Sequence, residues 1–293
     1  MYDIESLYEA RSVDDACRAL AADPQAIVVA GGTDVLVKCR EGKLAGAHLV
    51  SVHNLTEELC GVRLEQDGTM WIGPITWFHG VTTSPVAQRT VQTLCDACDT
   101  PGGPQLRVSG TIGGNVCNAA TSADTASTLL AYGALLDVRS VRGTRTIPIG
   151  EWYTGPGSCV RERDEVLVGI RIPRASYEGW TGHYFKYGKR RALEIATMGC
   201  CCLVRLSADK ARVEDIRLAF GVAAPTPIRA RGAEDGVRGL TVADAAEKIG
   251  LLAQRDTSPR DSWRASREFR LQLIKEMSRR SLVEAARRGG ADI

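Results

Sequence analysis

The sequence predicts an α+β fold in two domains, residues 1–175 and 176–293. Three observations lead there. The chain has 293 residues, 44% of them hydrophobic and 25% charged, which suits two modest cores packed together. Up to Pro173, short apolar runs alternate with short amphipathic helices and Gly/Pro-rich turns. Beyond about 175 the pattern changes to long strands joined by turns, followed by two helices.

The elements follow in order. Residues 12–22 place apolar side chains at 13, 16, 17 and 20, with Ser12 as N-cap and acids in the first turn, so a helix is expected. "AIVVA" at 26–30 is a short buried strand that runs straight into Gly31-Gly32. Strands are expected at 47–52, 61–65, 69–73 and 135–139, with Asp67-Gly68 as a hairpin turn. A helix at 86–98 precedes the loop "TPGGPQLR". A second helix is expected from 122 to 132, capped by Ser122 with Asp124 in its first turn, and a strand at 165–173 stops at Pro173.

In the second half, residues 180–229 read as strand, loop, long strand, turn and strand. Thr241 caps a helix over "VADAAEKIGLLA". A last helix is expected from Asp261 to Arg288, with Phe269, Leu273, Ile274 and Met277 on its apolar face.

Ten cysteines lie at 17, 39, 60, 95, 98, 117, 159, 200, 201 and 202. Cys95 and Cys98 have metal-like spacing, but there is no second pair at a suitable distance and the chain has four histidines. Small buried thiols are the preferred reading, with Cys200, Cys201 and Cys202 alternating across a strand. No metal site is expected. The opening "MYDIESLYEA" has no basic region or apolar core, and no stretch of about eighteen apolar residues exists, so neither a secretory signal nor a membrane span is expected. A cytoplasmic protein with reduced thiols fits this usage. Residues 1–176 carry 15 Lys/Arg against 20 Asp/Glu (−5), and residues 177–293 carry 22 against 15 (+7). Acids are interleaved throughout the basic half. A solvated surface is preferred, protein docking comes second, and nucleic acid is not expected.

Chemistry concentrates in two glycine segments, Ala30-Gly31-Gly32-Thr33-Asp34 and Thr111-Ile112-Gly113-Gly114-Asn115. Without Cβ atoms a backbone can approach a ligand closely and turn several N–H groups onto an anion. Two such loops could clasp a diphosphate from both sides. Neither is a P-loop or a G-x-G-x-x-G fingerprint. Each alone also reads as a hairpin or bulge turn.

Six stretches together resemble the FAD-binding subunits of the molybdenum hydroxylases, and among these the separate flavin subunits of bacterial xanthine dehydrogenases. They are "IVVAGGTDVLV", "QLRVSGTIGGNVCNAATSADTAS", "DEVLVGIRIP", "FKYGKRRALEIATMG", "LAFGVAAPTPIR" and "SWRASREFRLQLI". The resemblance spans nearly the whole chain. It implies a vanillyl-alcohol-oxidase (PCMH-type) FAD-binding domain in two subdomains, then a small C-terminal domain of antiparallel sheet plus helices like that of the CO dehydrogenase flavoprotein.

The resemblance also implies a binding set. Ile27, Val28, Val29, Ala30, Gly31, Gly32, Thr33 and Asp34, with Thr111, Ile112, Gly113, Gly114 and Asn115, would hold the FAD diphosphate. Asp124 would meet the ribityl or phosphate region, Leu167 would pack on the flavin system and Lys186 would add a further contact. No residue of the chain is expected to be catalytic in its own right. Some flavoproteins of this fold attach FAD through a His beside the first glycine loop. Thr33-Asp34 stands there instead, so noncovalent FAD is expected. Gly32 and Gly114 are expected to be the most sensitive positions. Molybdopterin and [2Fe–2S] clusters would reside on partner subunits, in a dimer of heterotrimers, with NAD as electron acceptor and a purine as substrate of the assembly. Subunits for nicotinate, CO or aromatic thioesters are alternatives, as are a self-contained flavin oxidoreductase, a plain FAD- or nucleotide-diphosphate-binding module without turnover, and a sugar-nucleotide reductase.

Overall fold

The computed structural model describes residues 2–293. Strands β1 (Ile4–Glu9), β2 (Ala26–Val29) and β3 (Ala47–Ser51) form a parallel sheet in the order β1-β3-β2. Parallel pairing needs crossovers. Helix α1 (Val13–Ala22) supplies the first and α2 (Val35–Arg40) the second. Ser12 Oγ accepts from the Asp15 amide at 3.1 Å, as a serine N-cap does, and Val13, Ala16, Cys17 and Leu20 turn inward. The strand β1 escapes sequence reading because five of its six residues are exposed, which leaves no alternation to see.

The short helix α3 (Thr56–Leu59) leads into a five-stranded antiparallel sheet. Its strands are β4 (Val62–Leu64), β5 (Met70–Ile72), β6 (Leu135–Ser140), β7 (Gly143–Pro148) and β10 (Val166–Ile172), in the order β4-β5-β10-β6-β7. A small hairpin, β8 (Tyr153–Gly155) with β9 (Ser158–Cys159), precedes β10. Asp67-Gly68 does turn β4 into β5, with Gly68 at φ +81° and Asp67 Oδ1 accepting from the Thr69 amide.

Six helices pack beside this sheet: α4 (Phe78–Thr82), α5 (Pro85–Thr90), α6 (Gln92–Cys98), α7 (Pro104–Arg107), α8 (Ile112–Asn118) and α9 (Asp124–Ala131). Several differ from expectation. The helix expected over 86–98 is two, because Val91 leaves helical geometry (φ −130°, ψ 49°) with its side chain fully in the core. "TPGGPQLR" holds a turn of helix started by Pro104, whose missing N–H costs nothing at that position. The second glycine segment is itself the start of α8, with Thr111 as N-cap. Ser122 does not cap α9. Ala123 occupies that position, and no side chain caps the helix.

The remaining sheet, in the order β11-β12-β13-β14, is antiparallel: β11 (Thr181–Tyr187), β12 (Met198–Leu206), β13 (Val213–Gly221) and β14 (Ile228–Arg229). Helices α10 (Arg231–Val237), α11 (Val242–Arg255) and α12 (Arg267–Arg288) cover one face. Thr241 caps α11 through the Asp244 amide. The last helix begins at Arg267 rather than Asp261. Ser266 caps it, while Asp261 Oδ1 reaches back to the Arg267 amide at 2.7 Å.

The cysteine triplet alternates across β12. Cys200 and Cys202 join the core under α10–α12, whereas Cys201 and Leu203 point into the core shared with the five-stranded sheet and α6. All three thiols are buried, as are Cys95 and Cys98, and burial pushes the Cys95 thiol up to about 12. Among the described residues no group of His, Cys, Asp and Glu is placed to hold a metal ion, and no helix is long and apolar enough to cross a membrane.

Candidate functional site

A cavity of about 690 Å³ lies where the first glycine loop, the start of α8, the start of α9 and the entry to β10 converge. Pockets that take organic cofactors have this size and this mixture of apolar wall and few polar groups.

The first loop leaves β2 at Val29, turns at Gly32 (φ +70°) and enters α2 at Val35. The turn uses carbonyls: Gly32 O accepts from the Leu36 amide at 3.0 Å. Among the described residues, the amides of Gly31, Gly32, Thr33 and Asp34 donate to no protein group. Successive backbone N–H groups left free in a turn are the kind of donor that can receive an anion.

The second segment is different. Ile112 N–H donates to Thr76 O (3.0 Å), Gly113 N–H to Pro74 O (2.8 Å), Gly114 N–H to Thr111 Oγ1 (3.1 Å) and Asn115 N–H to Thr111 O (3.0 Å). These amides already have partners within the chain. The expectation of amides closing from two sides is therefore corrected: the first loop carries the free donors and the second forms a wall. Asn115 is fixed in that wall, its Oδ1 accepting from Thr125 Oγ1 at 2.6 Å.

The glycines divide by role. A Cβ on Gly31 would stand 2.8 Å from the Ser109 carbonyl carbon and nearer still to its oxygen, so Gly31 lets the two segments touch. A Cβ on Gly113 would meet Pro74 Cβ at 2.5 Å and its oxygen at 2.6 Å. Gly114 is exposed to the cavity, and a Cβ there would meet only Thr111 Oγ1, at 2.9 Å. The steric demand is thus sharpest at Gly31 and Gly113, not at Gly32 and Gly114. At Gly32 the left-handed backbone is the constraint.

Of the residues singled out from sequence, Ile27, Val28, Ala30, Gly31, Gly32, Thr33, Asp34, Thr111, Gly113, Gly114, Asn115, Asp124 and Leu167 line the cavity. Val29 and Ile112 do not: both are core residues behind the wall. Lys186 does not line it either. It reaches Asp124 from behind, Nζ to Oδ2 at 2.9 Å, and also donates to Thr100 O at 3.1 Å. Asp124 Oδ1 accepts from Tyr184 Oη at 2.9 Å. Burial pushes the Asp124 carboxyl up, and the charge and hydrogen bonds from Lys186 and Tyr184 only partly offset it. Tyr184 is held well above its ordinary value by burial and by Asp124, so its hydroxyl is the donor.

A second buried carboxylate in the wall behaves oppositely. Burial would raise Glu165, but Arg145 Nε (2.6 Å) and Nη2 (2.8 Å) and the Glu162 amide (2.7 Å) outweigh it and leave the carboxyl below its usual range.

Sequence reasoning missed Lys38, Phe78, Arg161, Glu165, Leu193 and Ile195, all in the wall. Lys38 was findable, four residues after Asp34 on α2. It bonds Asp34 Oδ2 at 2.6 Å and crosses to Asn118 Oδ1 at 2.9 Å. Leu193 and Ile195 come from the loop before β12 and carry no local signal.

No histidine lies among the cavity-lining residues, and the Cys117 thiol is pushed up to about 12 by burial, far from a thiolate at neutral pH. The wall offers binding groups rather than a nucleophile with its base. Free amides for a diphosphate and apolar side chains for planar rings fit a flavin dinucleotide.

Comparison with known proteins agrees with this geometry. Residues 2–175 match the family described as the FAD binding domain in molybdopterin dehydrogenase, and residues 183–285 match the CO dehydrogenase flavoprotein C-terminal domain. The chain is 42% identical over 294 residues to a putative xanthine dehydrogenase FAD-binding subunit of Escherichia coli K12, covering 100% of both. It is 28% identical over 259 residues to the carbon monoxide dehydrogenase medium chain of Hydrogenophaga pseudoflava, covering 88% of each. A solved structure of carbon monoxide dehydrogenase from Hydrogenophaga pseudoflava, lacking the Mo-pyranopterin moiety of its cofactor, superposes with a TM-score of 0.91 at 27% identity over 99% of each chain.

Proposed function

The chain belongs to the family of FAD-binding medium subunits of the molybdenum hydroxylases, and from that premise we propose that it is the electron-transfer subunit of a xanthine dehydrogenase-like complex. It would take electrons from [2Fe–2S] clusters on a small partner subunit, downstream of a molybdopterin subunit that oxidises a purine, and pass them to NAD⁺. A cytoplasmic dimer of heterotrimers completes the reading. The observation that carries it is the cavity whose rim bears the four free amides of Gly31, Gly32, Thr33 and Asp34.

The chain's own groups have definable tasks. The free amides and the Gly32 turn would receive the diphosphate, and Gly114 would leave room for it. Leu167 and Phe78 supply apolar wall. Asp124 is an acceptor held by Lys186 and Tyr184, suited to cofactor hydroxyls rather than to phosphate, which its charge would repel. The bound FAD would supply the redox chemistry, accepting electrons singly and giving up a hydride. No histidine lines the cavity and burial holds the Cys117 thiol up at about 12, so the FAD would be noncovalent and acid should release it.

The test is stopped-flow flavin reduction by xanthine, with and without the two partner subunits. The isolated chain should hold FAD and show NADH diaphorase activity, yet stay oxidised in xanthine until the partners are added. Reduction of the isolated chain by xanthine would overturn the subunit reading.

A further inference from the structure

Resting on the reading that FAD fills the cavity, we propose that Tyr184 is a positioning residue for the cofactor site: its hydroxyl, donated to Asp124, orients the carboxylate that walls the cavity. Cofactor affinity thereby becomes coupled to the docking of the C-terminal sheet. Tyr184 lies outside both glycine segments and lines no part of the cavity.

The geometry is a clamp from one strand onto one carboxylate. Residues 184 and 186 of β11 share a face, as i and i+2 positions must. Tyr184 Oη reaches Asp124 Oδ1 and Lys186 Nζ reaches Oδ2, each at 2.9 Å. Asp124 belongs to α9, in the matched FAD-binding region, and both donors belong to the C-terminal sheet. The phenol ring is 5% exposed and packed in the core with Cys201 and Leu203, so its hydroxyl has little freedom. On β12, Gly199 pairs in register with Lys186, and a Cβ there would come 3.2 Å from Tyr184 Oη. Here a glycine leaves room for a hydroxyl.

Tyr184 and Lys186 from β11, together with Thr100 and Cys98 at the end of α6, surround the Asp124 carboxyl, and Cys201 of β12 flanks the phenol. Only Lys186 brings positive charge among them. Burial favours the neutral acid, so the ionised acceptor depends on Lys186 first and then on Tyr184 and Thr100. Removing the hydroxyl leaves Oδ1 unpaired and makes the carboxyl take up a proton at higher pH.

The experiment is FAD titration of the full chain by flavin fluorescence across pH, for wild type, Tyr184→Phe, Asp124→Asn and the double variant. Tyr184→Phe keeps the ring volume and should weaken FAD roughly tenfold near neutrality, the scale of one hydrogen bond to a charged group. Its loss of affinity on acidification should begin at higher pH than in wild type. In the Asp124→Asn background the same change should cost little, because the tyrosine acts through the carboxylate. Equal costs in both backgrounds with an unmoved pH midpoint would make Tyr184 merely structural and overturn the proposal. Wild-type affinity in Tyr184→Phe would overturn it too, leaving the cavity reading intact. A wild-type chain that binds no FAD overturns both. Should Tyr184→Phe fail to fold, 3-fluorotyrosine at 184 keeps the hydroxyl. Its ¹⁹F resonance should titrate with Asp124 and move on adding FAD, and a resonance indifferent to both refutes the role.

Discussion

Gly31→Ala is the sharpest single probe of the cavity. The new Cβ would lie 2.8 Å from the Ser109 carbonyl carbon, with the carbonyl oxygen closer still and Gly110 Cα at 3.4 Å. All three are backbone atoms, so no side chain can swing aside. Carbon atoms prefer separations of about 3.5–4.0 Å, so the first loop must draw back by roughly 1 Å. Overpacking of this kind costs about 1–3 kcal/mol, which is roughly 5- to 150-fold in affinity if it falls on the bound state. The assay is flavin-fluorescence titration beside thermal unfolding of the same sample. Gly150→Ala is the control, since nothing stands within 4 Å of a Cβ there. Gly31→Ala should lose FAD affinity, and Gly150→Ala should not. Wild-type affinity in Gly31→Ala would refute the claim that contact between the two segments shapes the binding rim.

Two further predictions concern the support of the site. Trp152 is fully buried and donates Nε1–H to Val116 O of α8 at 3.1 Å; Trp152→Phe should cost about 1–3 kcal/mol and lower Tm by several degrees, and an unchanged Tm would show that α8 is not held this way. Glu165 has a depressed folded pKa, so its contribution to stability is fully present above the ordinary glutamate value of about 4.3 and is lost as pH falls through the folded value. Glu165→Gln should therefore be less stable at neutral pH and show a shallower acid limb in Tm against pH. A parallel acid limb would contradict the assignment.

Strands and helices with one clear buried face were legible from sequence. The pattern at 13, 16, 17 and 20 gave α1, and Asp67-Gly68 gave the hairpin, because periodicity and turn chemistry are local. The edge strand β1 was not legible, since pairing along β3 rather than alternation defines it. Thr111 as a helix cap was hidden by the glycines after it, which by propensity speak against helix. In the site, the glycine segments announced themselves, yet their division of labour did not. Which amides are free depends on Pro74 and Thr76, more than 35 residues away in sequence. The resemblance singled out Lys186 as a cofactor contact, whereas its place behind Asp124, and the tyrosine two residues before it, became visible only when β11 was docked on α9.

The middle strand β12 has a consequence for recombining this chain with its relatives. Its odd and even residues serve different interiors: Cys201 and Leu203 complete one, and Met198, Cys200, Cys202 and Val204 the other. A crossover placed between the two matched regions, 2–175 and 183–285, would give one parent's strand to the other parent's α6 and α9. Chimaeras joined there inherit mismatched partners unless those helices travel with the strand, so the halves are not interchangeable parts. Even a junction in the exposed turn after Leu206 would divide both interiors, since Ala219 of β13 belongs to the first and Ile216, Leu218 and Phe220 to the second.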